Sequence, residues 1–397
     1  MKPAFPAIAA YTAVSALGDG VDAHARALRA GMGGLRRNDY APPGQPPLPC
    51  WIGRVAGLED DPPADGTVDT RLHRLLARAL RQDGFAARLQ AALRRHGPAR
   101  VALVLGTSTA NIEASEQAYR RLEDGRLPAD LRDARLHHLD GPAQWLAART
   151  GIAGPRYTLS TACSASAKAF ALAARLLAAD LADAVLVAGA DSLCASTLYG
   201  FNALELVDAA PCRPFDRARA GLSIGEAAAL ALLCRAAGAA DAPRLLACGE
   251  SSDAHHLSAP HPQGTGALRA LEQALQACGL RAGDFDYINL HGTGSRQNDA
   301  VEATLVAQAL PGVAASATKG ATGHTLGAAG ALEAVLSLLA LRHGVLPASL
   351  GCTAPEAAIA PQLVQEPRER PLRRALSFSF GFGGSNACLA LAGAEAV

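Results

Sequence analysis

Four side chains, far apart in this 397-residue sequence, could do nucleophilic and proton-transfer chemistry together: Cys163, His291, Lys319 and His324. Cys163 lies in Ser160-Thr161-Ala162-Cys163-Ser164-Ala165-Ser166-Ala167. The run Tyr157-Thr158-Leu159-Ser160 before it reads as a strand, and the Ala/Leu stretch from Ala167 to Ala179 reads as a helix buried on nearly every side. The cysteine therefore sits where a strand turns into a buried helix. Free N–H groups and the positive end of the helix dipole favour a thiolate there. Taken alone, Cys163 reads equally well as a small core residue.

His291 ends a strand and opens the Gly-rich loop Asn289-Leu290-His291-Gly292-Thr293-Gly294-Ser295, where site residues gather in α/β folds. His324 opens a second apolar helix, Gly323-His324-Thr325-Leu326-Gly327-Ala328-Ala329-Gly330-Ala331. A lone histidine is more often structural, but two at element ends, both flanked by glycine, point to function. Lys319 stands in apolar surroundings and needs a partner, for which Glu302 and Glu333 are available. Finally, Ser377-Phe378-Ser379-Phe380-Gly381-Phe382-Gly383-Gly384-Ser385-Asn386 runs into a Gly-rich turn. Such a turn is either an ordinary hairpin or a backbone donor aimed at an oxyanion.

The elements that must position these groups alternate strand and helix, which predicts a layered α/β fold. Apolar strands are predicted over Arg100–Leu105, Asp183–Ala190, Gly225–Cys234 and Asp286–Leu290, with a strand, turn and helix over residues 7–30. Residues 37–68 read as irregular surface. Residues 69–96 read as a helical stretch with Arg71, Arg74, Arg78 and Arg81 near one face, either solvated or a docking patch for an acidic partner. Periodicity lapses around Ala236–Pro243, so the chain divides into halves over 1–240 and 241–397. The second half repeats the first in outline: small residues, one reactive side chain, then a buried helix. Halves facing each other would bring the two helix starts together.

Half of the residues are hydrophobic and the formal net charge is +1, which gives no case for nucleic acid. No apolar run reads as a membrane span, and the N-terminus lacks a convincing signal peptide. Nine scattered cysteines, without CxxC pairs or metal-ligand spacing, predict no metal site and fit a reducing cytoplasm.

The set Cys163, His291, Lys319, His324 and Gly381-Phe382-Gly383-Gly384 resembles the elongating Cys-His-His β-ketoacyl-acyl carrier protein synthases. The turn from Ser15 to Gly18, Arg213-Pro214-Phe215-Asp216 and Asp253-Ala254-His255-His256 also find counterparts there, so the resemblance covers essentially the whole chain. It implies a thiolase fold of two pseudo-symmetric halves in α-β-α-β-α layers, working as a homodimer or beside a chain-length-factor-like subunit. It implies no permanently bound cofactor, the phosphopantetheine arm of acyl carrier protein being the substrate carrier.

By the same resemblance Cys163 takes the acyl group, and the N–H groups of Cys163 and Phe382 form the oxyanion hole. His291 and His324 serve decarboxylation of malonyl carrier protein, and Lys319 supports them through Glu302 or Glu333. Thr293 and Ser295 meet the phosphopantetheine arm, while Thr109 and Phe380 line the substrate path. Arg213, with Arg74 and Arg78, is expected to dock acyl carrier protein. The sequence departs from the housekeeping pattern in the loop after His291, at Thr109 and at Ser223-Ile224-Gly225-Glu226, which resembles secondary-pathway enzymes such as those of aryl polyene pigments. Two other readings compete: a CoA-linked thiolase, which would need a second catalytic cysteine such as Cys388, and a non-catalytic chain-length subunit, which would lack the nucleophile.

Overall fold

The computed structural model describes residues 5–61, 69–235 and 241–396. The Met1–Ala4 start and most of the expected junction at Ala236–Pro243 lie outside the described residues.

Among the described residues, ten strands form the main path of the sheet. In the first half they are β1 (Ala7–Ser15), β2 (Val101–Gly106), β3 (Arg156–Leu159), β4 (Ala184–Asp191) and β5 (Ala227–Cys234). In the second half they are β6 (Arg244–Ser252), β7 (Tyr287–Asn289), β8 (Ala314–Ser316), β9 (Arg374–Gly381) and β10 (Ser385–Ala392). The first half is ordered β3-β2-β4-β5-β1 and the second β8-β7-β9-β10-β6. The two orders are the same permutation. Each half also has its first three strands parallel and its last two pairings antiparallel. The sheets meet where Ala7 of β1 pairs with Arg244 of β6.

Period-two patterning sorts the strand residues between layers. On β2, Val101, Leu103 and Leu105 pack outward with Leu75, Leu76 and Leu89, whereas Ala102 and Val104 pack inward with Phe170 and Leu332. The outer helices of the first half are Arg71–Arg81, Phe85–His96 and Gly141–Thr150. Thr265–Cys278 and Arg296–Ala309 cover the second sheet. Between the sheets run Ala165–Ala178 and Ala329–His343. These layers are the α-β-α-β-α arrangement of the thiolase fold.

The central pair is buried because both helices are built from Ala and Leu, strong helix formers that need no polar face. Their first turns touch through small residues: a Cβ on Gly330 would fall 2.5 Å from the Ala167 nitrogen. Ser166 Oγ also accepts from the Ala331 N–H at 2.8 Å. A 3₁₀ turn precedes each helix, Ala162–Ser164 in one half and Leu326–Ala328 in the other. Each turn opens on a non-glycine residue with positive φ, Ala162 at 50° and Leu326 at 53°. Side chains rarely adopt that backbone, so it marks both turns as held in place by their surroundings.

Two expectations change here. The helical stretch over 69–96 is two helices, broken at Asp83 and Gly84, which both take positive φ. The stretch Leu326–His343 does reach the length and hydropathy of a membrane-spanning helix, but 89% of it is buried between the sheets. Composition cannot distinguish the middle layer of a five-layer protein from a membrane span.

Candidate active site

The turns at Ala162–Ser164 and Leu326–Ala328 face each other, and the groups expected to do chemistry converge beside them. Cys163, His291, His324, Phe380 and Phe382 line one cavity of about 540 Å³, with Thr293 and Ser295 on its wall. His324 Nε2 lies 2.9 Å from Cys163 Sγ. The rings of His291 and His324 meet edge to face with centroids 5.6 Å apart, and Phe380 lies 5.6 Å from His291. Phe382 stacks on Phe201 at 5.5 Å, and both rings line the cavity.

The backbone sets His324. Its N–H donates to Ser223 O at 2.7 Å, and its carbonyl accepts from the Gly225 N–H at 2.9 Å. Glu226, fully buried, anchors that segment by accepting from the Val55 and Leu193 N–H groups and from Arg71. His291 is held by Glu302, which accepts from the His291 and Gly292 N–H groups at 2.7 and 2.8 Å.

Lys319, 1% exposed, donates to the His291 carbonyl at 2.5 Å and to Glu333. Its Nζ also stands 3.4 Å from His291 Nδ1. An ammonium facing Nδ1 makes that nitrogen an acceptor and places the ring proton on Nε2. Lys319 therefore engages Glu333 and not Glu302, which the backbone of the His291 loop occupies. Two carboxylates were plausible partners in sequence, and only the packing separated them.

Burial dominates the electrostatics. Both histidines are held well below the ordinary imidazole range, first by desolvation and then by the Lys319 charge, so both are neutral at pH 7. Burial pushes the Cys163 thiol up to about 12, against the pull of Lys319 and of the Phe382 N–H. The expected thiolate-favouring helix terminus is thus outweighed, because a charge leaving water there loses more than the helix dipole returns. His324 Nε2 is in hydrogen-bond contact with that thiol. Desolvation also raises Glu302 to about 8 and Glu333 to about 7.

The Gly-rich turn comes within reach of Cys163. A Cβ on Gly381 would lie 2.7 Å from Thr161 O and 3.2 Å from the Cys163 nitrogen, so only glycine permits this approach. Ser164 Oγ bonds Ser385 Oγ at 3.0 Å, tying the Cys163 turn to β10. The Thr293 loop is fixed by Asp299, fully buried at the start of the Arg296–Ala309 helix, which accepts from the N–H groups of Thr293, Gly294 and Phe215. Thr293 Oγ1 donates to Ser295 Oγ at 2.9 Å.

Several expected residues lie elsewhere. The Thr109 hydroxyl donates to Asp191 at 2.7 Å, and Thr109 does not line the cavity with Cys163. Arg78 is 8% exposed and holds Asp61 through two nitrogens and the carbonyls of Ala56 and Gly57. Arg74 holds Asp69 and two carbonyls. Arg71, Arg74 and Arg78 thus bind the 55–61 loop to their helix, while Arg81 at its end is exposed and pairs with Asp61. Arg213 is half-buried and off the cavity, whereas exposed Arg296 lies on the cavity wall. Cys388 lies fully buried in β10 within the core of the second half. It is not a second nucleophile of the thiolase kind.

Sequence reasoning passed over Phe201, Asp191, Glu226, Asp299 and Arg296. Asp299 carried a signal, an acid in the first turn of a helix directly after a Gly-rich loop. Phe201 carried none, since its stacking on Phe382 depends on long-range packing.

Comparison with known proteins identifies the relatives of this chain. Residues 71–239 match the N-terminal domain of beta-ketoacyl synthases and residues 244–353 match the C-terminal domain. The chain is 39% identical over 261 residues to 3-oxoacyl-[acyl-carrier-protein] synthase 2 of Rhizobium meliloti, covering 61% of this chain and 62% of that protein. The match thus spans less than two thirds of that relative's length. Nodulation protein E of the same organism is 32% identical over 79% of each chain. Among solved structures, a chain of the complex of the ketosynthase ApeO with its chain length factor ApeC, from Xenorhabdus doucetiae, superposes with a TM-score of 0.89. It is 37% identical, over 98% of each chain. With both domains matched in order and the Cys-His-His geometry assembled, the chain belongs to the β-ketoacyl synthase family.

Proposed function

We propose that this protein catalyses a decarboxylative Claisen condensation between an acyl group carried on Cys163 and malonyl-acyl carrier protein. One observation carries the reading: Cys163, His324, His291 and the Phe382 N–H converge at one cavity, the imidazoles neutral and the sulfur in contact with one of them.

In the first step Cys163 Sγ attacks the acyl thioester. Its proton passes to His324 Nε2, the bond to the carrier sulfur breaks, and that thiolate takes the proton. In the second step malonyl carrier protein loses CO₂, and the electron pair of the breaking C–C bond forms an enolate. The Nε2–H of His291 and the His324 ring face that oxygen, stabilising charge without rearranging. In the third step the enolate carbon attacks the acyl carbonyl, whose oxygen is held by the N–H groups of Cys163 and Phe382. The Cys163 thiolate leaves and recovers a proton from solvent, and the product is a 3-ketoacyl thioester two carbons longer.

The phosphopantetheine arm carries the substrate past Thr293 and Ser295, and no resident cofactor or metal takes part. Acyl carrier protein is the partner. The second subunit is either a copy of this chain or a chain length factor, the arrangement of the ApeO complex. Fatty acid and polyketide synthesis, including the aryl polyene type, use this reaction. All nine cysteines are free, which fits a cytoplasmic location.

The test is mass spectrometry of a mixture containing the protein, an acyl-primed carrier and malonyl carrier. A two-carbon extended 3-ketoacyl carrier is expected, absent with Cys163→Ala. Acyl transfer to Cys163 without extension, or extension by the Cys163→Ala variant, would refute the reading.

A further inference from the structure

The second half holds the pseudo-symmetric mate of the nucleophile turn. Cys163 is the middle residue of the turn Ala162–Ser164, and Gly327 is the middle residue of Leu326–Ala328. Where Cys163 faces a cavity, Gly327 faces a filled site. A Cβ on Gly327 would fall 2.4 Å from the Ser108 nitrogen and 2.7 Å from Asp191 Oδ2. The loop Thr107–Thr109, which follows β2 as the His291 loop follows β7, sits directly on this turn.

Asp191, the last residue of β4 and fully buried, holds that loop. Its Oδ1 accepts from Thr107 Oγ1 at 2.7 Å, from the Thr109 N–H at 2.9 Å and from Thr109 Oγ1 at 2.7 Å. The Ser108 N–H donates to both carboxyl oxygens, at 2.9 and 3.1 Å. Three consecutive residues thus direct all these donors at one carboxylate. Among the described residues no basic side chain is among its partners; burial raises its pKa, and these hydrogen bonds, rather than an ion pair, oppose that rise.

We propose that Asp191 is a positioning residue for the condensation, holding the Thr107–Thr109 loop against Gly327 and thereby fixing His324 on Cys163. His324 is three residues before Gly327, and between them Leu326 takes its positive φ. On its other side the His324 backbone is bridged to Ser223 and Gly225. The turn is therefore clamped from two sides, and Asp191 supplies one of them. A loosened loop lets Leu326 relax and moves the imidazole from its 2.9 Å contact. Displacements of about 1 Å at a reacting pair cost on the order of a hundredfold. The inference rests on the assignment of Cys163 and His324 given above.

Asp191→Asn keeps one acceptor oxygen but turns an N–H toward the Ser108 N–H, and it removes the charge. Thr109→Val keeps the charge and removes one donor. Two measurements are made on each: malonyl-carrier decarboxylation, as kcat and KM, and the pH profile of Cys163 alkylation by iodoacetamide. The titratable groups bearing on Cys163 are His324, Lys319, Glu333 and Asp191, of which only Asp191 lies outside the histidine cluster. The expected result for Asp191→Asn is a kcat lower by about ten- to a hundredfold, with KM unchanged within about twofold. Its alkylation profile shifts to lower pH, because a negative charge near the thiolate is gone. Thr109→Val lowers kcat less and leaves the profile in place. A folded Asp191→Asn protein with wild-type kcat and profile overturns the proposal, as does a loss confined to thermal stability with an unchanged profile. Alkylation needs no substrate, so a wild-type protein that alkylates at Cys163 yet decarboxylates nothing refutes the proposed function and not this role.

Discussion

His324 Nε2 stands 2.9 Å from Cys163 Sγ, whereas the His291 ring packs edge to face with the His324 ring at 5.6 Å between centroids and has Lys319 Nζ 3.4 Å from its Nδ1. The two histidines, equivalent in sequence reasoning, are therefore not equivalent in the site.

With the thiol pushed up to about 12, a base in contact with Sγ governs attack on the acyl thioester. His324→Ala is expected to slow acylation of Cys163 by about tenfold or more and to abolish decarboxylation. His291→Ala is expected to leave acylation within a few-fold of wild type while decarboxylation collapses. Single-turnover acylation followed by intact mass separates the two, and equal acylation in both variants would contradict the asymmetry.

Removing Lys319 leaves Glu333 buried without its cation, and breaking such a pair typically costs about 3–5 kcal/mol. Lys319→Ala should lower the midpoint of thermal unfolding as well as activity. Adding Glu333→Gln should restore much of the stability and little of the activity, because the proton on His291 Nε2 is no longer enforced. A melting temperature unchanged in Lys319→Ala would show that the pair contributes nothing to the fold.

Stability should respond to pH from both sides. His24, His291 and His324 are buried with folded-state pKa values below 6.5. Groups of that sign stabilise above the unfolded value and lose that contribution as pH falls through the folded value. Glu302 has the opposite sign, raised to about 8, so its contribution is present at low pH and lost as pH rises from about 5 to about 8. The histidines should therefore lower the melting temperature below about pH 6.5, offset in part by Glu302 and by Glu333, raised to about 7, and Glu302→Gln should flatten the alkaline limb. Thermal melts across pH 5 to 9 would measure this, and an alkaline limb identical in the variant would exclude Glu302 as its cause.

Gly381→Ala tests the oxyanion geometry without touching a reactive side chain. Its φ is −107°, open to any residue, so the only penalty is the new Cβ against Thr161 O and the Cys163 nitrogen. The turn must withdraw, and the Phe382 N–H withdraws with it. Loss of one such donor costs on the order of a hundredfold or more in kcat. Wild-type turnover in a folded Gly381→Ala protein would remove the Phe382 N–H from the mechanism.

Substitution separates the arginines. Arg296→Glu, on the cavity wall, should raise KM for the carrier-bound substrate and leave a small pantetheine thioester unaffected, since rim charges act on encounter. Arg78→Ala should leave KM for the carrier unchanged and reduce stability by about 3 kcal/mol, because Arg78 fastens the 55–61 loop. A carrier-specific KM effect in Arg78→Ala would return that helix face to the docking surface.

Much was settled by local order along the chain. The strand-to-helix turn at Cys163, its counterpart at Leu326–Ala328 and the Gly-rich turn after β9 each announce themselves through small residues beside an apolar run. Such patterns reflect backbone needs that neighbours in sequence must meet. The doubling of the fold was legible for the same reason, since each half repeats one sequence of elements. What local order could not supply was the direction of side chains once the layers closed. Arg78 looked outward and is turned onto Asp61; Thr109 was expected along the substrate path and is turned onto Asp191. Glu302 and Glu333 were interchangeable until packing gave one the backbone of His291 and the other Lys319. The sign of the Cys163 shift was decided in the same way. A helix terminus is a local property readable from sequence, whereas desolvation depends on every layer that excludes water, and in this protein the layers outweigh the terminus.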